Sequence, residues 1–391
     1  MADHLMSTYA RLPVQFERGD GIWLWDTEGR QYLDALGGIA VCALGHAHPG
    51  VSQALAEQAS RLVHTSNLYG IGLQEDLAAR LCELSGMERV FFCNSGAEAN
   101  EAAIKIARLY GHGRDINCPA IIVMENSFHG RTMATLTATG NRKVQAGFEP
   151  LVRGFIRVPF NDLEAIRTIA ATKNDTVAVL VEPVQGEGGI NVPDRNYLEA
   201  IRRICDEQGW LLMLDEIQTG IGRTGHWFAF QHEDVLPDVV TVAKALGNGV
   251  PIGACLARGS AAECLQPGSH GTTFGGNPLS ARAALAVLDA IESGNLVANA
   301  RSVGLQLLEG FTDQLSGTAG VTDIRGSGLM IGIQLDRPCG ELVMRALQRG
   351  LLINVTAKRV VRLLPPLITT QHQAGMIIEK ISELIREFLA E

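Results

Sequence analysis

Lys244 directly follows the apolar run Val239-Val240-Thr241-Val242-Ala243 and precedes Ala245-Leu246-Gly247-Asn248-Gly249. An amine between a buried strand and a glycine-rich turn is partly desolvated, which lowers its pKa and equips it to condense with an aldehyde. Asp215 likewise closes an apolar run, residues 210–214. A carboxylate there is costly unless a cation pairs with it, and a protonated pyridine nitrogen is one such cation. Alternate residues of an extended chain share a face, so Ile217 falls on the side of Asp215. Ile217 and Phe128 would then cover the two faces of one ring, with Gln218 in reach of a ring hydroxyl. Asn94-Ser95-Gly96-Ala97 is a small-residue turn from strand to helix, where free N–H groups and the helix dipole favour a phosphate. Each feature also has a plainer reading: a snorkelling lysine, a helix-capping aspartate, an ordinary N-cap. Taken together they describe a site for an aldehyde, a basic ring nitrogen and a phosphate on one molecule, which is pyridoxal phosphate (PLP).

Such groups must be carried to one place by the elements around them. Candidate strands are residues 90–93, 120–124, 177–181, 210–214, 239–242 and 253–257. They are short and apolar on both faces, as parallel strands covered by helices are. Helical patterns at 97–110, 163–171 and 195–207 alternate with them. The alternation predicts an α/β doubly wound domain over 50–290. In an open parallel sheet, ligands bind beyond the carboxyl ends of the strands. Those ends lead here into Asn94–Asn100, Asn126–Thr132, Glu182–Gly189, Asp215–Gln218 and Lys244. Residues 13–45 alternate around a DTEGR turn, which predicts antiparallel strands. The last hundred residues mix helices (295–315, 341–349, 371–391) with strands around 322–335, 352–355 and 360–364. The two ends, 1–49 and 291–391, are expected to form a smaller α+β domain.

Other chemistries lack support. Gly220-Ile221-Gly222-Arg223-Thr224-Gly225 matches GxGxxG, but it lies late in the chain and leads into aromatic residues, not into a helix after a first strand. Gly45-His46-Ala47-His48-Pro49 reads as a turn, and no metal site is expected. The charge balance is 33 basic to 42 acidic residues with no basic cluster, which speaks against nucleic acid. No apolar stretch approaches the length of a membrane span. The eight cysteines contain no CxxC, and Cys93 and Cys255 sit in apolar runs, as free thiols in a reducing compartment do. With no secretory pattern at the start, a cytoplasmic protein is expected.

The motifs resemble those of class III aminotransferases of PLP fold type I along essentially the whole chain. They are Gly45-His46-x-His48-Pro49, Asn94-Ser95-Gly96-Ala97-Glu98-Ala99-Asn100, Phe128-His129-Gly130-Arg131, Glu182-Pro183-x-Gln185-Gly186-Glu187-Gly188-Gly189, Asp215-Glu216-x-Gln218, Lys244, and Thr272-Thr273-Phe274-Gly275-Gly276-Asn277-Pro278. The resemblance implies a large domain with a mainly parallel seven-stranded sheet. It implies Lys244 and Asp215 as catalytic residues, with Ser95, Gly96, Ala97, Phe128, Glu216, Ile217, Gln218 and Thr273 as the other cofactor contacts. Thr273 would come from the second subunit of a homodimer. Arg131, Thr272, Glu187, Arg362 and Tyr9 are implied as substrate contacts, Arg131 holding a carboxylate and Glu187 masking Arg362 until 2-oxoglutarate arrives. Many relatives have a serine at the position of Thr272. The run GGIAVCALGHAHP and the segment SNLY most resemble members acting on N2-acetylornithine. Ornithine, succinylornithine or 4-aminobutyrate as donor, an aminomutase, and a non-catalytic protein on the same fold remain alternatives.

Overall fold

The computed structural model describes residues 4–391. The chain opens with strands β1 (Phe16–Asp20), β2 (Trp23–Asp26) and β3 (Gln31–Asp34). Seven strands come next: β4 (Arg89–Cys93), β5 (Ala120–Met124), β6 (Phe155–Val158), β7 (Thr176–Val181), β8 (Leu211–Asp215), β9 (Val239–Val242) and β10 (Gly253–Ala257). The C-terminal part adds β11 (Val321–Ser327), β12 (Met330–Leu335), β13 (Leu351–Leu352), β14 (Asn354–Thr356) and β15 (Val360–Leu363).

The seven middle strands form one sheet in the order β4-β10-β9-β8-β7-β5-β6. Its inner strands are buried throughout, because helices such as Gly96–His112 and Tyr197–Gln208 cover it. All six expected strands form. The seventh, β6, is an edge strand whose four residues include Arg157, so it lacks the apolar run that marks the others. One expectation is corrected: β10 runs antiparallel to both β4 and β9. Ten residues separate β9 from β10, with only a short 3₁₀ turn among them. Parallel neighbours need a longer crossover. Since β10 is antiparallel to both, β4 points the same way as β9, and the end of β4 joins those of β5, β7, β8 and β9 at one edge of the sheet.

The Thr27–Arg30 turn closes the expected antiparallel pair β2–β3. β13 pairs in parallel with β3, Leu351 opposite Leu33, so the two ends of the chain share a sheet. The remaining C-terminal strands form an antiparallel sheet in the order β11-β12-β15-β14, with the helix Leu296–Leu315 packed on it and the helix Gln371–Ala390 on that helix. The two segments set aside in the sequence as non-ligand motifs make structural contacts. His46 Nε2 lies 2.8 Å from Asp34 Oδ2, and Arg223 is buried with its guanidinium on the carbonyls of Leu329 and Pro365.

Candidate active site

A cleft of about 390 Å³ opens at the carboxyl edge of the large sheet. Asn94, Ser95, Gly96 and Ala97 line one side, where β4 turns into the helix Gly96–His112. The Ser95 hydroxyl accepts the Glu98 N–H at 3.3 Å and caps the helix. The N–H groups of Gly96 and Ala97, in the first turn, have no acceptor within the helix. The cap is thus formed, and the turn still has free N–H groups at the cleft wall. Gly96 is required by contact: a Cβ there would sit 2.7 Å from Ile217 Cδ1. A Cβ on Gly186 would likewise lie 2.4 Å from Gln218 Oε1, so both glycines let the cleft residues Ile217 and Gln218 pack closely.

Asp215, 3% exposed, ends β8. Its Oδ2 accepts from Asn100 Nδ2 at 2.8 Å and from His129 Nδ1 at 2.7 Å, and its Oδ1 accepts from the Ile217 N–H at 3.1 Å. Ile217 and Phe128 line the same cleft. Glu216 points the other way. Its carboxylate accepts the N–H groups of Ala229 and Phe230 at 2.7 and 2.9 Å and the Thr219 hydroxyl at 2.8 Å, and it is absent from the cleft wall. The alternation that brings Asp215 and Ile217 inward turns Glu216 outward. Burial pushes the Glu216 carboxyl up to about 7.

Lys244 lies two residues beyond β9, with φ of 46°. The left-handed conformation of a non-glycine residue costs about 1–3 kcal/mol and is commonly retained at functional sites. Burial lowers its amine to about 8. Glu187, Asp215 and Glu182 oppose that shift, while Arg362 adds to it, so all four lie within electrostatic reach of the amine. Glu182, which comes directly after β7, lines the cleft and accepts the Phe128 N–H at 3.0 Å. Burial, then the charge of Asp215, raises its carboxyl well above the usual range.

Arg362 Nη1 bonds Glu187 Oε1 at 2.6 Å, and Nε and Nη2 hold Asn354 Oδ1 at 3.1 and 2.9 Å. Gln218 Oε1 is 3.4 Å from the same Nη1. The Arg362 side chain is 1% exposed and that of Glu187 35%, so the arginine is fixed and its partner faces an opening. Arg131 is exposed at the cleft rim, its guanidinium carbon 5.7 Å from the centre of the Phe128 ring. Glu187, Arg362, Thr272, Thr273 and Tyr9 do not line the cleft; Arg362 meets it only through Gln218. Thr272 Oγ1 accepts from Asn94 Nδ2 at 3.3 Å, while Thr273 and Tyr9 are exposed.

Asn100, His129 and Glu182 lie in the motifs read from the sequence but have no role assigned there, and Asn354 lies outside every motif. The need of a buried carboxylate for donors pointed to some such groups. Asn100, one turn into the first helix after the cradle, was the available signal. The donor set fits PLP: an anion cradle on one wall, a buried carboxylate on another, an aromatic and an aliphatic side chain between them, and a partly deprotonated lysine within reach. Among the described residues no group of three or more His, Cys, Asp or Glu side chains is placed to hold a metal ion.

Comparison with known proteins gives a consistent picture. The family described as aminotransferase class-III matches residues 6–385. The acetylornithine aminotransferase of Nitrosomonas europaea is 61% identical over 386 residues, covering 99% of this chain and 98% of that protein. Among solved structures, the acetylornithine aminotransferase of Elizabethkingia anophelis superposes with a TM-score of 0.89 at 36% identity, covering 98% of this chain and 96% of that one. The ornithine aminotransferase of Toxoplasma gondii, whose active site holds PLP at partial occupancy, superposes with a TM-score of 0.95 at 33% identity, covering 99% and 94%.

Proposed function

The chain belongs to the class III aminotransferases, enzymes dependent on PLP, and on that footing we propose that it moves the δ-amine of N2-acetyl-L-ornithine to 2-oxoglutarate. The products are N-acetyl-L-glutamate 5-semialdehyde and L-glutamate, a step of arginine biosynthesis, and the setting is the cytoplasm. The observation that carries this reading is the pairing of Arg362 with Glu187, next to the cleft residue Gln218. One cleft has to accept a donor with a single free carboxylate and then an oxo acid with two. Arg131 at the rim serves the carboxylate common to both, as a bidentate partner. Arg362 serves the second carboxylate of the oxo acid. While the donor is bound, the more exposed Glu187 neutralises Arg362 and keeps it from drawing the donor into the wrong register. The 61% identity to an acetylornithine aminotransferase supports the donor.

Bound through the Gly96–Ala97 cradle, between Phe128 and Ile217, PLP supplies an electrophilic aldehyde and a ring that draws electrons from the amine-bearing carbon of the substrate. Asp215 would pair with the ring nitrogen and favour its protonated form. Lys244, with its amine lowered to about 8, would take a proton from the amine-bearing carbon of the substrate and, as the conjugate acid, deliver it to the carbon that was the cofactor's aldehyde. Gln218, fixed between Gly186 and Arg362, faces the cleft and serves the ring oxygen.

The assembly is a homodimer. Leu68, Tyr69 and Phe274 are 86%, 68% and 59% exposed, and Asn67 ties their segments together through the carbonyls of Thr272 and Gly275. A cluster of exposed large apolar side chains marks a surface that another chain covers. Thr273, in the same patch, would reach the phosphate cradle of the second subunit. Residues 50–290 form the large domain, and 1–49 with 291–391 the small one, as the β3–β13 pairing supports.

Steady-state rates with 2-oxoglutarate and a panel of N2-acetylornithine, N2-succinylornithine, ornithine and 4-aminobutyrate test the proposal. The expected result is the highest kcat/KM with N2-acetylornithine. A higher value with free ornithine or 4-aminobutyrate would overturn the donor assignment.

A further inference from the structure

Asn100 is fully buried in the helix Gly96–His112, one turn beyond the Gly96–Ala97 cradle. Its amide is fixed on both sides. The Thr241 hydroxyl, on β9, donates to Asn100 Oδ1 at 2.7 Å. Nδ2 donates to Asp215 Oδ2 and to the His129 carbonyl, both at 2.8 Å. The opposite flip would set the amide oxygen against a carboxylate and a carbonyl, so the contacts allow one orientation. Thr241 is itself in register with Asp215 across β8 and β9. The helix, both strands and the loop carrying His129 thus meet at one amide.

We infer that Asn100 is a positioning residue that keeps Asp215 ionised and aimed into the cleft, with Thr241 orienting it. The inference rests on the reading of Asp215 as partner of the ring nitrogen. In a buried pair of a carboxylate and a pyridine, one proton can reside on either. A donor to the carboxylate stabilises its anion, and hence the charged pair in which the ring nitrogen holds the proton. Asn100 supplies that donor without bringing a positive charge that would compete with the ring. Asp215 Oδ2 then carries two donors, while Oδ1 carries only the Ile217 N–H and keeps acceptor capacity for the ring. Because Asn100 shares a helix with the cradle, it also ties the position of Asp215 to that of the phosphate site.

The test uses enzyme reconstituted with PLP labelled with ¹⁵N at the ring nitrogen, whose chemical shift reports protonation, followed across pH. Wild type is expected to show a protonated ring nitrogen. Asn100→Ala should lower the ring-nitrogen pKa by roughly one unit and weaken cofactor binding about tenfold, as the loss of a hydrogen bond to a charged group does. Thr241→Val, which keeps the shape and removes the hydroxyl, should shift the ring nitrogen in the same direction by less, and should add nothing in the Asn100→Ala background. Thr241→Val keeps the test open should Asn100→Ala fold poorly. A protonated wild-type ring unchanged in the variants would overturn the role of Asn100 and leave that of Asp215 standing. An unprotonated ring in wild type would overturn both.

Discussion

A lysine that keeps its proton can neither condense with an aldehyde nor accept a proton from carbon. In the absence of cofactor, Lys244 should be modified by an amine-reactive acylating reagent at a rate that rises with pH and levels off above about 8, following its lowered amine. An inflection near 10 would mean that the amine is solvated. Asp215→Ala should cut turnover by two or more orders of magnitude, roughly the cost of losing a buried charge partner of about 3–5 kcal/mol, while circular dichroism and 2-oxoglutarate KM change little. Near-wild-type turnover would remove Asp215 from the mechanism. The proposed gate makes separate demands on Glu187 and Arg362. Glu187→Ala should retain the 2-oxoglutarate half-reaction but lose discrimination between δ-amino donors and α-amino acids such as glutamate. Arg362→Ala should slow the 2-oxoglutarate half more than the donor half. Single-turnover absorbance of each half separates the two. Equal damage to both halves in both variants would assign the pair a structural role.

The strands explain why some of this was legible and some was not. Runs such as residues 120–124 and 177–181 announce buried strands, and the polar residues just beyond each run announce the cleft. The direction of β10 is not written in its own residues; it is set by a connection too short for a crossover. β6 is hidden because an edge strand need not be apolar on both faces. Glu216 carried a motif resemblance that strand alternation overrides. Its carboxyl serves the turn Ala229–His232 and has its own signature. With its pKa raised from 4.5 to about 7, the folded state keeps a proton that the unfolded chain has released between those values. Stability therefore falls as pH rises through that window and is flat above it. At about 1.4 kcal/mol per unit the loss is about 3 kcal/mol. Denaturant unfolding of the apo protein at several pH values should show the difference between wild type and Glu216→Gln changing by that amount across the window. A constant difference would mean that Glu216 ionises normally.

At the scale of the whole molecule, one edge of one sheet gathers residues from five strand ends into the cleft, and the proposed dimer would bring Thr273, in the exposed patch around Phe274, to a second copy. Sedimentation at assay concentration should find a dimer, and an active monomer would contradict the shared site. The central claim is that Lys244 holds the cofactor and gives it up to N2-acetylornithine. Borohydride reduction of the holoenzyme with subsequent peptide mapping tests it most directly. The label should fall on the peptide containing Lys244, disappear when the enzyme is first incubated with N2-acetylornithine alone, and return when 2-oxoglutarate is then added. A label on Lys105, Lys143, Lys173, Lys358 or Lys380, or one on Lys244 that N2-acetylornithine leaves in place, would contradict the account.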